Sequence, residues 1–266
     1  MDKLSVLKDT IGKRQSAVIA FSGGVDSTFL ARVASEVLGD KLLLVTACSS
    51  AYPAAEREEA RRLAEAMGIE QLTIVSEETD ITEFVENPPD RCYYCKRELF
   101  RRIKEIAAER GYEAVFDGSN ADDVANDYRP GRRALEELGI VSPLKEAGLT
   151  KEEIRQLSRD MRLPTADKPA HACLASRFPY GERITPEKLG RVGRAEQALR
   201  AMGFSQFRVR SHGDCARVEL VPAELEKGWR ERDAITGACK KAGFTFVALD
   251  TQGYRMGAMN EVLQGR

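Results

Sequence analysis

Two periods of apolar and polar residues run through the first 165 positions. Short apolar runs rich in strand-forming residues, AVIAF (17–21), KLLLVTA (41–47), QLTIV (71–75) and EAVFDG (113–118), read as strands. Between them the apolar positions return at helical spacing, over about Ser27 to Leu38, over 53–68 and over roughly 93–110, the last ending at Gly111. Pro53 opens the second of these helices and Gly68 closes it. Four strand–helix repeats imply a parallel sheet with helices on both faces, which is an α/β fold.

The pattern changes after GLTKEEIRQLSRDMRLP (148–164), where Thr150 and Glu153 have the spacing of a capping box. Residues 164–186 hold four prolines and read as an ordered loop. A helix (186–202), two strands (207–213 and 216–221), a helix (222–242) and a strand (245–250) follow, so a smaller α+β unit is expected. The boundary falls near 165–185, giving domains of 1–165 and 166–266, with no internal repeat or low-complexity tract.

Composition narrows the possible partners. The chain has 266 residues, 42% of them apolar, and its 41 basic and 42 acidic side chains leave a net charge of −1. That balance supplies no overall field for a polyanion and argues against nucleic acid. No segment approaches the roughly 20 apolar residues of a membrane span, and the N-terminus lacks a signal-like apolar core, so a cytoplasmic location is expected. Six cysteines in a chain of this length do not suggest a disulfide framework; those that matter are expected to be ligands or nucleophiles.

The chemistry concentrates in a few stretches. SGGVDS (22–27) follows the first strand, where a strand-to-helix turn presents backbone N–H groups at a positive helix end. Gly23 and Gly24 allow close backbone approach, Ser22 and Ser27 offer hydroxyls to phosphate, and Asp26 beside phosphates suits Mg²⁺. The competing interpretation is a plain glycine turn with Asp26 or Ser27 as a helix N-cap. It is not a kinase-type P-loop, because the one Gly-Lys pair, Gly12-Lys13, is followed by Arg14. DGSNADD (117–123) ends the fourth strand, and Asp122 and Asp123 there suit a metal, a nucleotide or a solvated turn. Cys92 and Cys95 in RCYYCK have ligand spacing for zinc or iron–sulfur chemistry. Cys173 stands near His171 and Arg177, where positive neighbours favour a thiolate, although a buried structural cysteine is equally consistent. Cys48, Cys215 and Cys239 lie in or beside apolar elements and read as structural, and no catalytic role is assigned to His171 or His212. Arg208 and Arg210 share one face of a strand and suit an anion, with Arg255 as a further candidate.

SGGVDS resembles the PP-loop of the ATP pyrophosphatases, and DGSNADD is similar to that group's second nucleotide-contacting motif. ACLASRFPYG, RVRSHGDCARVE and DTQGYRMGAMNEVL, with DYRPGRRA, resemble the LarE family over nearly the whole chain. These are ATP-dependent sulfurtransferases that build the organic part of the nickel-pincer nucleotide cofactor. The resemblance implies a PP-loop (adenine nucleotide alpha hydrolase-like) parallel-sheet domain with a smaller α+β C-terminal domain. It also implies ATP bound by Ser22, Gly23, Gly24, Asp26, Ser27, Gly118, Asn120 and Asp122. Adenylation of pyridinium-3,5-biscarboxylic acid mononucleotide, with release of pyrophosphate, is implied, followed by sulfur delivery at Cys173, with Asp26 and Arg177 assisting.

Further implications are a [4Fe–4S] cluster on Cys92, Cys95 and Cys173, which take sulfide or another sulfur donor, rather than sacrifice of the Cys173 sulfur. Substrate phosphate is assigned to Arg208, Arg210 and Arg255, and a divalent metal to Glu196 and Glu219, with Lys227 standing near the place expected for a third acidic ligand. A homo-oligomer, a hexamer by resemblance, is expected. Two alternatives remain, a tRNA-thiolating relative and a non-catalytic adenine-nucleotide sensor. Neutral charge and the lack of further CxxC pairs argue against the first, and Asp26 with the three cysteines against the second.

Overall fold

The computed structural model describes residues 2–52, 54–124, 130–169 and 173–264. They fall into two units, one of residues 1–81 and 90–171, the other of 82–89 and 172–266.

The first unit contains α1 (Lys3–Gly12), β1 (Ala17–Ala20), α2 (Val25–Leu38), β2 (Leu42–Cys48), α3 (Ala54–Met67) and β3 (Gln71–Val75). After α4 (Thr82–Val85), which belongs to the second unit, it continues with α5 (Arg91–Glu109), β4 (Ala114–Phe116), α6 (Gly131–Glu137), α7 (Pro143–Glu146) and α8 (Lys151–Asp160). The strands form one parallel sheet in the order β3-β2-β1-β4, with Ala17 of β1 opposite Leu42 and Ala114.

Both faces of the sheet are covered. Ile19 and Leu44 pack with Leu7 and Ile11 of α1, Phe29 and Val33 of α2, and Ile154 of α8. Val18, Leu43 and Val115 point the other way, against Phe100 and Ile103 of α5 and Leu135 of α6. Since successive strand residues face opposite sides and β1, β4 and most of β2 are buried on both, these three read as apolar runs, whereas the edge strand β3 exposes Thr73 and Val75. Each such buried aliphatic or phenyl group contributes about 1.5–3 kcal/mol.

Local signals set the helix ends. The Thr150 side chain accepts from Glu153 N–H while the Glu153 carboxylate accepts from Thr150 N–H, so the capping box forms at α8. Gly68 follows α3 at φ 67°. Pro53, expected at the start of that helix, lies outside the described residues.

The second unit contains α4, α9 (Pro186–Ala201), β5 (Phe207–His212), β6 (Cys215–Leu220), α10 (Leu225–Arg230), α11 (Arg232–Lys241) and β7 (Phe246–Leu249). Its sheet is ordered β5-β6-β7, the first pair antiparallel and the second parallel. Leu189, Val192, Ala195 and Leu199 of α9 are buried.

One helix over 222–242 was expected; two are found, preceded by a 3₁₀ turn at Pro222–Glu224. α10 lies so close to β6 that a Cβ on Gly228 would stand 2.2 Å from Leu220 Cδ1. Glu231 then leaves helical geometry (φ −93°, ψ 13°), closing α10 and opening α11. Among the described residues no helix is long and apolar enough to cross a membrane.

Candidate active site

The SGGVDS stretch is the turn between β1 and α2. Phe21 N–H donates to Val45 O (2.8 Å) and Thr46 Oγ1 donates to Phe21 O (2.7 Å), which holds the chain extended as it leaves the sheet. Gly23 then turns at φ 67°, and a Cβ there would stand 3.0 Å from Ala60 Cα, so both its conformation and its surroundings require glycine. Gly24 is the N-cap of α2 and no side chain caps the helix, which excludes the plain Asp26 or Ser27 N-cap. The first N–H groups of α2 are left for an incoming anion. Ser22 and Ser27 hydroxyls stand 3.1 Å apart, and Ser27 Oγ also reaches Gly24 O (3.2 Å).

The DGSNADD stretch meets this turn. A Cβ on Gly118 would lie 3.4 Å from Ser27 N and 3.5 Å from Asp26 Cβ. Asn120 Nδ2 donates to Asp26 Oδ1 (3.3 Å), its N–H donates to Asp123 Oδ2 (2.9 Å), and its Oδ1 accepts from Asp122 N–H (3.0 Å).

Two lysines complete the arrangement. Lys151, the first residue of α8, donates its N–H to Asp122 Oδ2 (2.8 Å) and pairs its ammonium with Asp26 Oδ2. Lys168 Nζ donates to Gly23 O (3.2 Å) and pairs with Glu56 (2.9 Å) and Glu59 (2.8 Å). Sequence reasoning missed both. A signal existed for Lys151, because a cation at the first position of a helix opposes the macrodipole and is expected only beside an anion.

A cavity of about 340 Å³ opens beside the turn. Ser22, Gly24, Asp26, Ser27, Asp117 and Gly118 form its polar end, and Val45, Leu99, Phe100 and Ile103 its apolar wall. An apolar slot ending in hydroxyls and a helix N-terminus suits a nucleobase with its phosphates.

Cys92 and Cys95 lie three residues apart at the start of α5, Cys92 exposed and Cys95 half-buried. Cys95 Sγ stands 3.9 Å from Oε1 of Glu78. Glu78 is buried, and burial raises its carboxyl pKa despite a hydrogen bond from Ser49. Cys173 is in the second unit, at the N-cap of a 3₁₀ turn (Leu174–Arg177). Its neighbour His171 lies outside the described residues, as do the first residues of DYRPGRRA. None of the six cysteines is in a disulfide, and no three His, Cys, Asp or Glu among the described residues are grouped to hold a metal.

The second unit brings its charged residues together in pairs. Arg177 is 2% exposed and binds Glu196 with two parallel bonds, Nε to Oε1 (2.7 Å) and Nη2 to Oε2 (2.9 Å). Its remaining nitrogen donates to Cys173 O (3.3 Å) and Ser176 Oγ (2.8 Å), so Arg177 acts on Cys173 through the backbone. Burial alone would raise the Glu196 carboxyl, but the Arg177 charge, its hydrogen bonds and Val209 N–H outweigh it and hold the carboxyl below the usual range.

Glu219 is 1% exposed and is held by Arg210 (2.8 Å) and Arg217 (3.0 Å). The carboxylates of Glu196 and Glu219 are therefore both engaged by guanidinium groups. Arg208 and Arg210 share a strand face; Arg208 lies 4.9 Å from the Tyr254 ring centroid, and burial and the Arg177 charge push its pKa down. Arg255 pairs with Glu261.

The family model for asparagine synthase matches residues 7–218. An uncharacterized protein of Synechocystis sp. is 44% identical over 98% of this chain and 98% of its own. The pyridinium-3,5-bisthiocarboxylic acid mononucleotide synthase of Lactiplantibacillus plantarum is 37% identical over 98% of this chain and 93% of its own. The chain belongs to the LarE family of PP-loop enzymes. An uncharacterized protein of Methanocaldococcus jannaschii is 29% identical over 96% of this chain and 98% of its own. Because the Synechocystis and L. plantarum relatives align nearly end to end, the similarity extends past the β1–α2 turn into the Cys173 loop and the arginine strand.

Proposed function

We propose that this chain uses ATP to adenylate a carboxylate of pyridinium-3,5-biscarboxylic acid mononucleotide and replaces an oxygen of that carboxylate with sulfur. The meeting of Asn120, Asp122 and Lys151 with Asp26, which itself lines a nucleotide-sized cavity, carries this reading. The bisthiocarboxylic product in the name of the L. plantarum relative supports this acceptor over RNA or a sensor role.

The chain's residues divide the work. The N–H groups that open α2, with the Ser22 and Ser27 hydroxyls, receive phosphate oxygens. Asp26 has the oxygen chemistry for Mg²⁺ and would hold it; when bound, Mg²⁺ neutralises phosphate charge. Lys151, released from Asp26, balances the charge that develops on the leaving pyrophosphate. An acceptor carboxylate oxygen bonds to the α-phosphorus as the bond to the bridging oxygen breaks, its electron pair leaving on pyrophosphate. Hydrosulfide then adds to the acyl carbon, and the carbon–oxygen bond breaks to expel AMP and leave a thiocarboxylate.

The thiols of Cys92, Cys95 and Cys173 fit iron–sulfur chemistry by donor type, and they would hold a [4Fe–4S] cluster. When bound, such a cluster would supply the sulfide for the thiocarboxylate. Arg177 fixes the Cys173 backbone, and Arg208, Arg210 and Arg255 are assigned to the substrate phosphate. The reading includes a cytoplasmic homo-oligomer. Incubation with ATP, Mg²⁺, sulfide and the biscarboxylic mononucleotide should release pyrophosphate and give a thiocarboxylate by mass spectrometry. Absence of both products defeats the proposal.

A further inference from the structure

A second chamber, of about 330 Å³, adjoins the nucleotide cavity, and Lys96, Ser119 and Asp123 line both. Its other walls come from α5, α6 and the end of α7, and they include Cys92, Ile140, Lys145 and Glu146. We propose that this chamber receives the acid-bearing ring of the acceptor, and that Lys96 holds the reacting carboxylate at the junction of the two spaces. The inference rests on the adenylating function proposed above and deepens it.

Three observations carry it. First, the nucleotide cavity is already apportioned: an apolar wall for the base, and the α2 N-terminus with Asp26, the partner of Lys151, for the phosphates. In-line displacement at the α-phosphorus requires the acceptor to arrive from the side opposite the departing pyrophosphate, and the shared wall is where a second reactant has room. Second, Lys96 differs from the other cations of the chamber. Arg132 pairs with Glu136 (2.7 Å), and Lys145 stands 4.0 Å from the same carboxylate. Lys96 has no ion pair with the described residues.

Third, the Lys96 stem is seated against α6. A Cβ on Gly131 would lie 2.8 Å from Lys96 Cδ and 3.2 Å from Cys92 O, so glycine makes the space that lets this lysine lie along the chamber wall. A seated aliphatic stem with an uncommitted ammonium between two chambers is a carboxylate receptor that loses little entropy on binding. The chamber also has the size for a small aromatic acid.

The test uses the full chain loaded with Mg²⁺ and α,β-methylene ATP, which cannot be cleaved between the α and β phosphates, and pyridine-3,5-dicarboxylate as the acceptor probe. Titration calorimetry measures each ligand on wild type, Ile140→Trp, Lys145→Glu, Lys96→Ala and Lys96→Arg, with circular dichroism as a check of folding. Ile140→Trp, which fills the chamber, should leave analogue affinity unchanged and weaken the dicarboxylate about tenfold or more. Lys145→Glu should weaken it by repulsion, and Lys96→Arg should bind it better than Lys96→Ala. Undiminished dicarboxylate binding in folded Ile140→Trp and Lys145→Glu overturns the assignment while leaving adenylation standing. Failure of wild type to bind the ATP analogue overturns both.

Discussion

The ammonium of Lys151 rests on the carboxylate of Asp26, its partner from 125 positions earlier in the chain. Backbone N–H of the same lysine holds Asp122, so one residue ties the SGGVDS and DGSNADD stretches together. On the proposed function, Lys151 and Mg²⁺ would share the Asp26 carboxylate and serve the same phosphates.

Replacing Asp26 by Asn should reduce pyrophosphate release about a hundredfold or more, as expected when a group acting on developing charge is removed. Lys151→Ala should show a similar loss in kcat with a smaller change in KM for ATP. The pair is partly exposed, so neither substitution should shift the urea midpoint much. Steady-state pyrophosphate assays and urea titrations check both.

Gly23→Ala should destabilise the first unit by about 1–3 kcal/mol, since it forces a side chain into a left-handed backbone position. The added methyl also meets Ala60, so α3 or the turn must shift. Nucleotide affinity should fall with stability, which urea unfolding and calorimetry with ATP would show together.

Arg177→Gln should cost about 3–5 kcal/mol at neutral pH by leaving Glu196 buried without its charge partner. The Glu196 carboxyl is depressed in the folded protein, so its contribution is present above the ordinary glutamate value and is lost as pH falls below that value toward the folded one. The gap in urea stability between wild type and variant should therefore be widest near neutrality and narrow in acid.

Cys92→Ala changes an exposed thiol and should leave the fold intact. It should abolish iron and sulfide uptake in anaerobic reconstitution and limit the enzyme to at most a single turnover. Iron–sulfide analysis and absorbance read the first effect, and product per enzyme reads the second. Unchanged multiple turnover would leave sulfur supply independent of the Cys92–Cys95 pair.

Features encoded by local pattern were legible in the sequence. Strands β1, β2 and β4 announce themselves because both of their faces pack into the core, and Thr150 with Glu153 marks a helix start through neighbouring residues. The turn at Gly23 could be placed because glycine spacing and strand context lie together. Lys168 could not, because it reaches Gly23 O across 145 positions. The break at Glu231 was hidden for a similar reason: it accompanies the contact of Gly228 with Leu220, on which helical periodicity carries no information. Likewise, nothing in the spacing of Arg177 and Glu196 revealed that each is the other's partner.

The chain passes from the first unit to the second after Ile81, returns at Asp90 immediately before the cysteine pair, and leaves again after His171. Within the second unit that short excursion is built in: Phe84 and Val85 are buried, Asn87 donates to Pro179 O (2.7 Å) and Ile184 N–H donates to Val85 O (2.8 Å). A single cut near residue 171 would consequently strip the C-terminal fragment of an interior piece and leave the N-terminal fragment with an orphaned apolar loop. The halves are not modular cassettes; recombination or truncation at that seam should give insoluble fragments, and gene fusions that exchange one half must carry the excursion along with it.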